Sequence, residues 1–170
     1  MKRTIHLLNC AAVTLLLSGC MGYQLGGSRP NGIETVTMAA VVNKTTEPAI
    51  ELQVTHAVRD RIQFDGRLKL VNGTGDADGV IEVILTEYQL TPIAFSSEER
   101  TTPDIYRLRI TGTAKLKNTE TGEIVSESRT YGEATFPFEA DLTSAKRDAL
   151  PRAAAEIAKF MVDDLVEAWQ

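Results

Sequence analysis

Thiol and imidazole side chains are scarce in this chain of 170 residues, which has two cysteines and two histidines. Both cysteines, Cys10 and Cys20, lie within the first twenty residues, and His56 is the one histidine beyond them. This excludes a disulfide, a cysteine-bound metal and a paired-histidine metal site in the rest of the chain. It also leaves little material for a serine-histidine catalytic arrangement, and His56, among polar neighbours, is interpreted as a surface residue.

Nucleotide-binding and calcium-binding loops are absent as well. No Gly-x-Gly-x-x-Gly or Walker pattern occurs, and Gly73, Gly75 and Gly79 lie in NGTGDADG, which is typical of a turn between strands. Asp76 and Asp78 in this loop suggest calcium as an alternative, but the later glutamate of an EF-hand is missing at the right spacing. No nucleophile and base stand out, so a hydrolase is disfavoured and we predict a protein without enzymatic activity, metal or cofactor.

A long hydrophobic run is the third absence. The apolar stretch from Ile5 to Leu17 has 13 residues and is interrupted by Asn9, whereas a helix that crosses a membrane needs about 20. Two basic residues before this stretch and small residues after it complete the pattern of an export signal. We therefore predict a signal peptide over residues 1–19.

The last four residues of this region, Leu17-Ser18-Gly19-Cys20, resemble the lipobox of bacterial lipoproteins. The resemblance implies that the Cys20 thiol carries diacylglycerol and that its newly freed amine is acylated. Two or three acyl chains hold a protein stably at a membrane, whereas a single chain holds it only marginally. The residue after Cys20 is Met21 rather than an aspartate. In the lipoproteins that this sequence resembles, the absence of that aspartate implies transfer to the outer membrane, so we predict anchoring at its periplasmic face. An ordinary signal peptide with a chance cysteine is the alternative.

Acidic residues outnumber basic ones by 23 to 18. Removal of residues 1–19 takes away two basic residues and no acidic one, so the net charge changes from −5 to −7 and nucleic acid is not expected as a partner. The 151 residues that remain suit one domain with a single core. We predict a lipidated tether over residues 20–32 and a single α+β domain over residues 33–170.

Apolar periodicity predicts the first elements of this domain. Residues 33–42 favour a strand. The expected inner face of this strand consists of Val36, Met38, Ala40 and Val42. Pro48 suits the first position of a helix. The apolar stripe of that helix and its closing glycine are Ile50, Val54, Ala57, Val58, Ile62 and Gly66.

Three longer strands follow a short one at 68–71. The run 80–92 is rich in branched residues on both faces, and the segment 105–117 alternates between apolar and polar residues. Residues 119–122 turn the chain back into 124–136, so the last two strands are predicted to form an antiparallel hairpin. The polar face of segment 105–117 carries four cations, which we call the cation row: Arg107, Arg109, Lys115 and Lys117.

The carboxyl-terminal segment 144–169 is predicted to be a helix, because apolar residues recur on one side of it as far as Trp169. Pro151 should kink this helix or mark its true start. The predicted fold is α+β, with two helices packed on one face of a mostly antiparallel four- to five-stranded sheet, in the order β-α-β-β-β-(β)-α.

Several short motifs, in their order and spacing, resemble the lipopolysaccharide-assembly lipoprotein family, LptE. They are CMGYQLGG at 20–27, NKTTEP at 43–48, ADGVI at 77–81, YRL at 106–108 and the closing alanine-rich helix. The resemblance implies a lipoprotein without enzymatic activity that sits partly inside an outer-membrane β-barrel, the LptD-like barrel of the lipopolysaccharide translocon. It would stabilise that barrel during assembly and help deliver lipopolysaccharide to the outer leaflet.

The resemblance also gives the cation row an expected ligand, since members of the family are reported to bind lipopolysaccharide through basic residues. Arg and Lys pair well with phosphate and carboxylate groups. The alternative is an ordinary solvated strand face, whose cations discourage aggregation. The polar loop 96–104 fits a barrel contact or a solvated loop equally well, and Tyr23 either contacts the barrel or packs onto the domain.

A different functional class remains open at this point. The same elements suit a periplasmic adaptor lipoprotein that regulates a cell-wall synthase or joins a secretion pore. The obligate partner distinguishes the two hypotheses, because one requires a barrel and the other a synthase or a pore ring.

Overall fold

The structure is a computed structural model that describes residues 32–73, 75–96, 101, 103–138 and 141–167. The described residues form six strands and two helices. In chain order they are β1 Thr35–Met38, β2 Val42–Asn43, α1 Ile50–Asp65, β3 Lys69–Leu70, β4 Gly79–Phe95, β5 Pro103–Asn118, β6 Ile124–Pro137 and α2 Leu142–Val166. Neither helix has the length and apolar character needed to cross a membrane. The predictions for Cys20, Tyr23 and Trp169, for the signal peptide and for nearly all of the tether lie outside the described residues.

The strands form one mixed sheet in the order β3-β1-β4-β5-β6, with β2 also paired to β4. Strands β4, β5 and β6 are antiparallel neighbours, whereas β1 and β2 pair with β4 in parallel, and β1 pairs with β3 in parallel. The predicted α+β class is confirmed, but the sheet has six strands and is mixed. The parallel pairs arise because α1 crosses over between β2 and β3 and returns the chain in its original direction.

The predicted single strand over residues 33–42 is wrong, because it is split into β1 and β2. Val36 pairs with Gly79 and Val42 pairs with Ile84. The segment with β1 and β2 therefore uses six residues to cover the distance that β4 covers in five. The extra residue reverses the alternation of faces. Val41 is therefore buried and Val42 exposed, against the predicted pattern.

Helix α1 has the predicted apolar stripe, with Ile50, Val54, Val58 and Ile62 buried. Gly66 ends it in the left-handed region at φ 74°, and its N–H donates to the Ile62 carbonyl at 3.1 Å. Pro48 is not the first helical residue, however. The helix begins two residues later, because the Asn43 amide donates to the Glu47 carbonyl and the Glu51 carboxylate, both at 2.9 Å, and so holds the preceding turn.

Helix α2 begins at Leu142, where the Asp141 carboxylate accepts the N–H groups of Thr143 at 2.9 Å and Ser144 at 3.2 Å. It continues through Pro151, so the prediction that this proline marks the true start is wrong. The helix lies directly on β6 at Gly132, where a Cβ atom would sit 2.3 Å from the Ala153 carbonyl oxygen. A glycine is required at this closest approach of helix and sheet.

The core lies between the helices and one face of the sheet. The β5 side chains that face the helices are fully buried: Leu108, Ile110, Ala114 and Leu116. They pack with the buried stripes of both helices into one hydrophobic cluster. The predicted alternation of β5 is confirmed, and it directs the cation row to the opposite face, which we call the outer face.

Candidate functional site

The cation row runs along the outer face of β5, flanked by β4 and β6. Its members occupy alternate positions, so their side chains share this face at about 7 Å per step of two residues. The pairing of β5 places carboxylates from both neighbouring strands beside the row. These partners divide the row into two halves of different character.

The lysine half consists of Lys115 and Lys117. Lys115 Nζ lies 3.3 Å from Glu127 Oε1 on β6, and Lys117 Nζ lies 2.7 Å from Glu82 Oε2 on β4. Each ammonium therefore has its own carboxylate. This half is electrically balanced and resembles an ordinary solvated strand face.

The arginine half consists of Arg107 and Arg109, which share the single carboxylate of Glu133 on β6. Arg109 Nε donates to Glu133 Oε1 at 2.5 Å, and Arg107 Nε lies 3.6 Å from Glu133 Oε2. That Arg107 nitrogen is buried and makes no hydrogen bond to any described residue. The Arg109 guanidinium also lies over the Tyr131 ring, 4.4 Å from its centroid. Two positive charges and one negative charge leave this half with an excess of one positive charge.

Polar and apolar neighbours complete the surroundings of the arginine half. Thr91 and Gln89 on β4 stand opposite Arg107 and Arg109, and the Gln89 amide donates to Glu87 at 2.7 Å. Two residues before Arg107 on the same face is Ile105, which is 38% exposed. Ile93 and Phe95, also exposed, end the neighbouring strand β4. An apolar end of the sheet thus adjoins the two arginines.

Sequence reasoning identified the cations but missed their partners and one further cation. Glu82, Glu127 and Glu133 were not singled out, although the hairpin places the last two opposite Lys115 and Arg109. Arg129, opposite Thr113 between the two halves, was missed as well, and it forms no ion pair with any described residue. The turn at 119–122 predicts the hairpin but not these pairs, because a register shift between Leu116 and Lys117 moves the later cross-strand partners by one residue.

The loop 96–104 is shorter than predicted, since Pro103 and Asp104 already belong to β5. Residues 97–100 and 102 lie outside the described ranges. The proposed contact role of this loop stays a prediction.

The turn NGTGDADG joins β3 to β4, as predicted, and Asp78 ties it to β1. The Asp78 carboxylate accepts the N–H groups of Thr35 at 2.8 Å and Glu34 at 3.0 Å, and the Thr35 hydroxyl at 2.8 Å. Hydrogen bonds from the Thr35 backbone and hydroxyl, followed by the Glu34 backbone, lower the pKa of Asp78 below its ordinary 3.8. Within the described ranges no cluster of three or more His, Cys, Asp or Glu residues is arranged to hold a metal. The carboxylate thus has a structural role.

His56 lies on the helical layer, away from the cation row. It is exposed, as predicted, and lines an open groove of about 460 Å³ between the two helices together with Pro151 and Ala155. No described carboxylate, thiol or second imidazole forms a hydrogen bond or ion pair with it.

Comparison with known proteins identifies one matching family and several similar folds. A family model described as lipopolysaccharide-assembly, LptE, matches residues 33–166. A candidate lipoprotein from Caulobacter crescentus is similar in structure, with 18% identity, a TM-score of 0.50 and coverage of 74% of this chain and 88% of that one. A protein from Xanthomonas campestris has 11% identity, a TM-score of 0.52 and coverage of 82% and 88%. At such identities the structural likeness concerns the fold alone.

Rare lipoprotein B from Shewanella oneidensis also matches, with 11% identity, a TM-score of 0.49 and coverage of 76% of this chain and 92% of that one. Comparison with curated proteins gives no match.

Proposed function

The chain belongs to the LptE family of lipopolysaccharide-assembly lipoproteins, and from that membership we propose that it is a non-enzymatic plug of an outer-membrane barrel. In this proposal, lipid on Cys20 anchors the protein to the periplasmic face of the outer membrane. The domain sits inside the LptD-like β-barrel of the lipopolysaccharide translocon and stabilises it. From there it helps deliver lipopolysaccharide to the outer leaflet.

The outer face of the sheet is the observation that supports this proposal most directly. Strands β4, β5 and β6 have 17, 16 and 14 residues, and at about 3.3 Å per residue they reach roughly 45 to 55 Å, more than the roughly 30 Å of a hydrocarbon core. Their outer face is polar along most of this length, as the lumen of a large barrel is. No described helix covers it. Such a face suits burial against a polar wall better than burial in lipid.

The arginine half and the apolar end beside it support contact with lipopolysaccharide. The lipid part of such a molecule carries phosphate groups close to acyl chains. On the outer face, two guanidiniums with an excess positive charge lie next to Ile105, and the exposed Ile93 and Phe95 lie at the same end of the sheet, on β4. Arginine binds phosphate through paired N–H groups, and the apolar residues suit hydrocarbon.

Copurification of the acylated protein from outer membranes in mild detergent tests the partner. We expect a large β-barrel at one-to-one stoichiometry, identified by mass spectrometry. A photoreactive amino acid at Thr113 on the outer face should crosslink to that barrel, and the same group at the exposed His56 on the helical layer is the matched control. A cell-wall synthase or a multimeric pore recovered instead would overturn the proposal in favour of the adaptor function.

A further inference from the structure

One carboxylate lies between two guanidiniums in the arginine half. We propose that Arg107 and Arg109 form a phosphate-binding site whose selectivity is set by Glu133, an internal carboxylate that a phosphate group displaces and a ligand carboxylate does not. This inference rests on the lipopolysaccharide contact proposed above and specifies which group of the ligand is recognised.

The site is held in place from both sides of the sheet. The Glu133 backbone N–H donates to the Glu156 carboxylate of α2, and the neighbouring Thr135 carbonyl accepts from Arg152 Nη2 at 3.1 Å. The Arg109 guanidinium packs over the Tyr131 ring, 4.4 Å from its centroid. The backbone of β6 is thereby fixed, and release of the arginines requires only a change of the Glu133 side-chain rotamer. Its side chain is 24% exposed, so water can reach it and solvate it after release.

Charge decides which ligands can replace Glu133. A ligand carboxylate brings one negative charge, the same as Glu133 supplies, and Glu133 has the advantage of being attached to the protein. A phosphate monoester carries about 1.5 to 2 negative charges at neutral pH and three acceptor oxygens. It can therefore neutralise both guanidiniums and also accept from the Arg107 Nε group that makes no hydrogen bond to the described residues. The site thus favours phosphate over carboxylate.

The lysine half lacks this property although it has the same formal positive charge. Lys115 and Lys117 are each paired with a carboxylate of their own, Glu127 and Glu82. A ligand would have to displace two carboxylates to reach two ammonium groups, and an ammonium offers no planar pair of donors. Glu127 therefore provides a matched control for Glu133, since both are carboxylates of β6 that face a cation of β5.

The test uses the full acylated protein in a non-ionic detergent at fixed ionic strength. Inorganic pyrophosphate and acetate serve as probes, and the Arg Nε–Hε signals in the NMR spectrum report on binding. Wild-type protein should bind pyrophosphate and not acetate. Glu133→Gln should bind pyrophosphate about two- to fivefold more tightly, the scale of one partly exposed ion pair, and should acquire binding of acetate. Glu127→Gln should leave both titrations unchanged, and Arg107→Gln should weaken pyrophosphate binding.

Three results would overturn the inference: equal gains in Glu133→Gln and Glu127→Gln, no gain in Glu133→Gln, or pyrophosphate binding that survives in Arg107→Gln but is lost in Arg129→Gln. The isosteric glutamine preserves the side-chain shape, and thermal unfolding verifies that each variant is folded. Barrel copurification is a separate measurement. Loss of the barrel with this titration pattern intact removes the plug proposal and leaves the phosphate site, whereas the reverse outcome removes only the site.

Discussion

The arginine half and the lysine half of the cation row lie on the same strand and the same face, with two positive charges each. They differ in the net charge that remains after their carboxylate partners are counted. In the lysine half every cation has its own carboxylate, whereas in the arginine half one carboxylate serves two cations. A count of basic residues along β5 cannot distinguish them. Whether a row of cations on a strand can bind an anion therefore depends on how many carboxylates the neighbouring strands place beside it.

The largest effect is expected at the contact between β6 and α2 behind the arginine half, where a substitution should lower the stability of the protein. Gly132→Ala would bring a Cβ atom to 2.3 Å from the Ala153 carbonyl oxygen and 2.4 Å from the Ile157 nitrogen. Because both neighbours are backbone atoms, we expect a loss of about 3 kcal/mol in the free energy of unfolding, measured by urea denaturation. Gly75→Ala, where nothing lies within 4 Å of the added carbon, is the control and should change little. Equal effects of the two substitutions would contradict the close helix contact.

Removal of the charges sharpens the comparison directly. The double variant Arg107→Gln/Arg109→Gln should weaken binding of lipopolysaccharide in detergent about tenfold or more, because hydrogen bonds to charged groups contribute roughly 1.5–3 kcal/mol. Lys115→Gln/Lys117→Gln removes the same formal charge from the balanced half and should change binding less than about twofold. A similar loss in both variants would mean that the row acts only through its total charge.

The lysine half has its own connection to the helical layer through Ser128, whose hydroxyl donates to Asp164 Oδ2 at 2.6 Å. Ser128→Ala leaves that carboxylate without its donor and should lower the free energy of unfolding by about 1 kcal/mol. Pyrophosphate binding should stay unchanged, because the arginine half is not touched. Ser128→Thr, which keeps the hydroxyl, is the control in the same urea titration. An unchanged free energy in the alanine variant would show that the hydrogen bond contributes nothing.

The smallest expected effect concerns stability in acid and involves Asp78, which directly precedes the start of β4 beside the lysine half. The pKa of Asp78 is lowered in the folded protein by its hydrogen bonds from Thr35 and Glu34, so its folded value lies below the unfolded value of 3.8. Its contribution to stability is therefore present above pH 3.8 and is lost as the pH falls through the folded pKa. Asp78→Asn should show a smaller drop in stability between pH 6 and pH 3 than the wild type does. An identical drop in both proteins would remove Asp78 from the acid response.

Much of the fold was predictable because the apolar patterns are regular. Alternation in β5 and the four-residue stripe of α1 follow directly from the burial of one face, and both match the structure. The split of the first strand was not predictable in this way. It depends on the register of β1 and β2 against β4, whose paired residues lie 42 or 43 positions later in the chain and run parallel to them.

The candidate site was predictable only in its cations. Counting back from the turn at 119–122 would place Ser126 opposite Lys115 and Gly132 opposite Arg109. A register shift at Leu116 moves every later pair by one residue, so that Glu127 and Glu133 face those cations instead. A one-residue slip exchanges the faces of a strand. The balance of charge in each half therefore depends on a one-residue register shift that the local sequence pattern does not predict.

The position of α2 over β6 has a further consequence for a protein that is concentrated on a membrane surface. In the described part of the chain β6 pairs with a strand on one side only. Side chains of α2 occupy the Glu133 N–H and the Thr135 carbonyl, groups that an added strand would use. Crowding of many tethered copies in two dimensions favours edge-to-edge pairing of exposed strands. Because α2 occupies these two groups, we expect the helix to hinder pairing of this edge with a second copy of the chain.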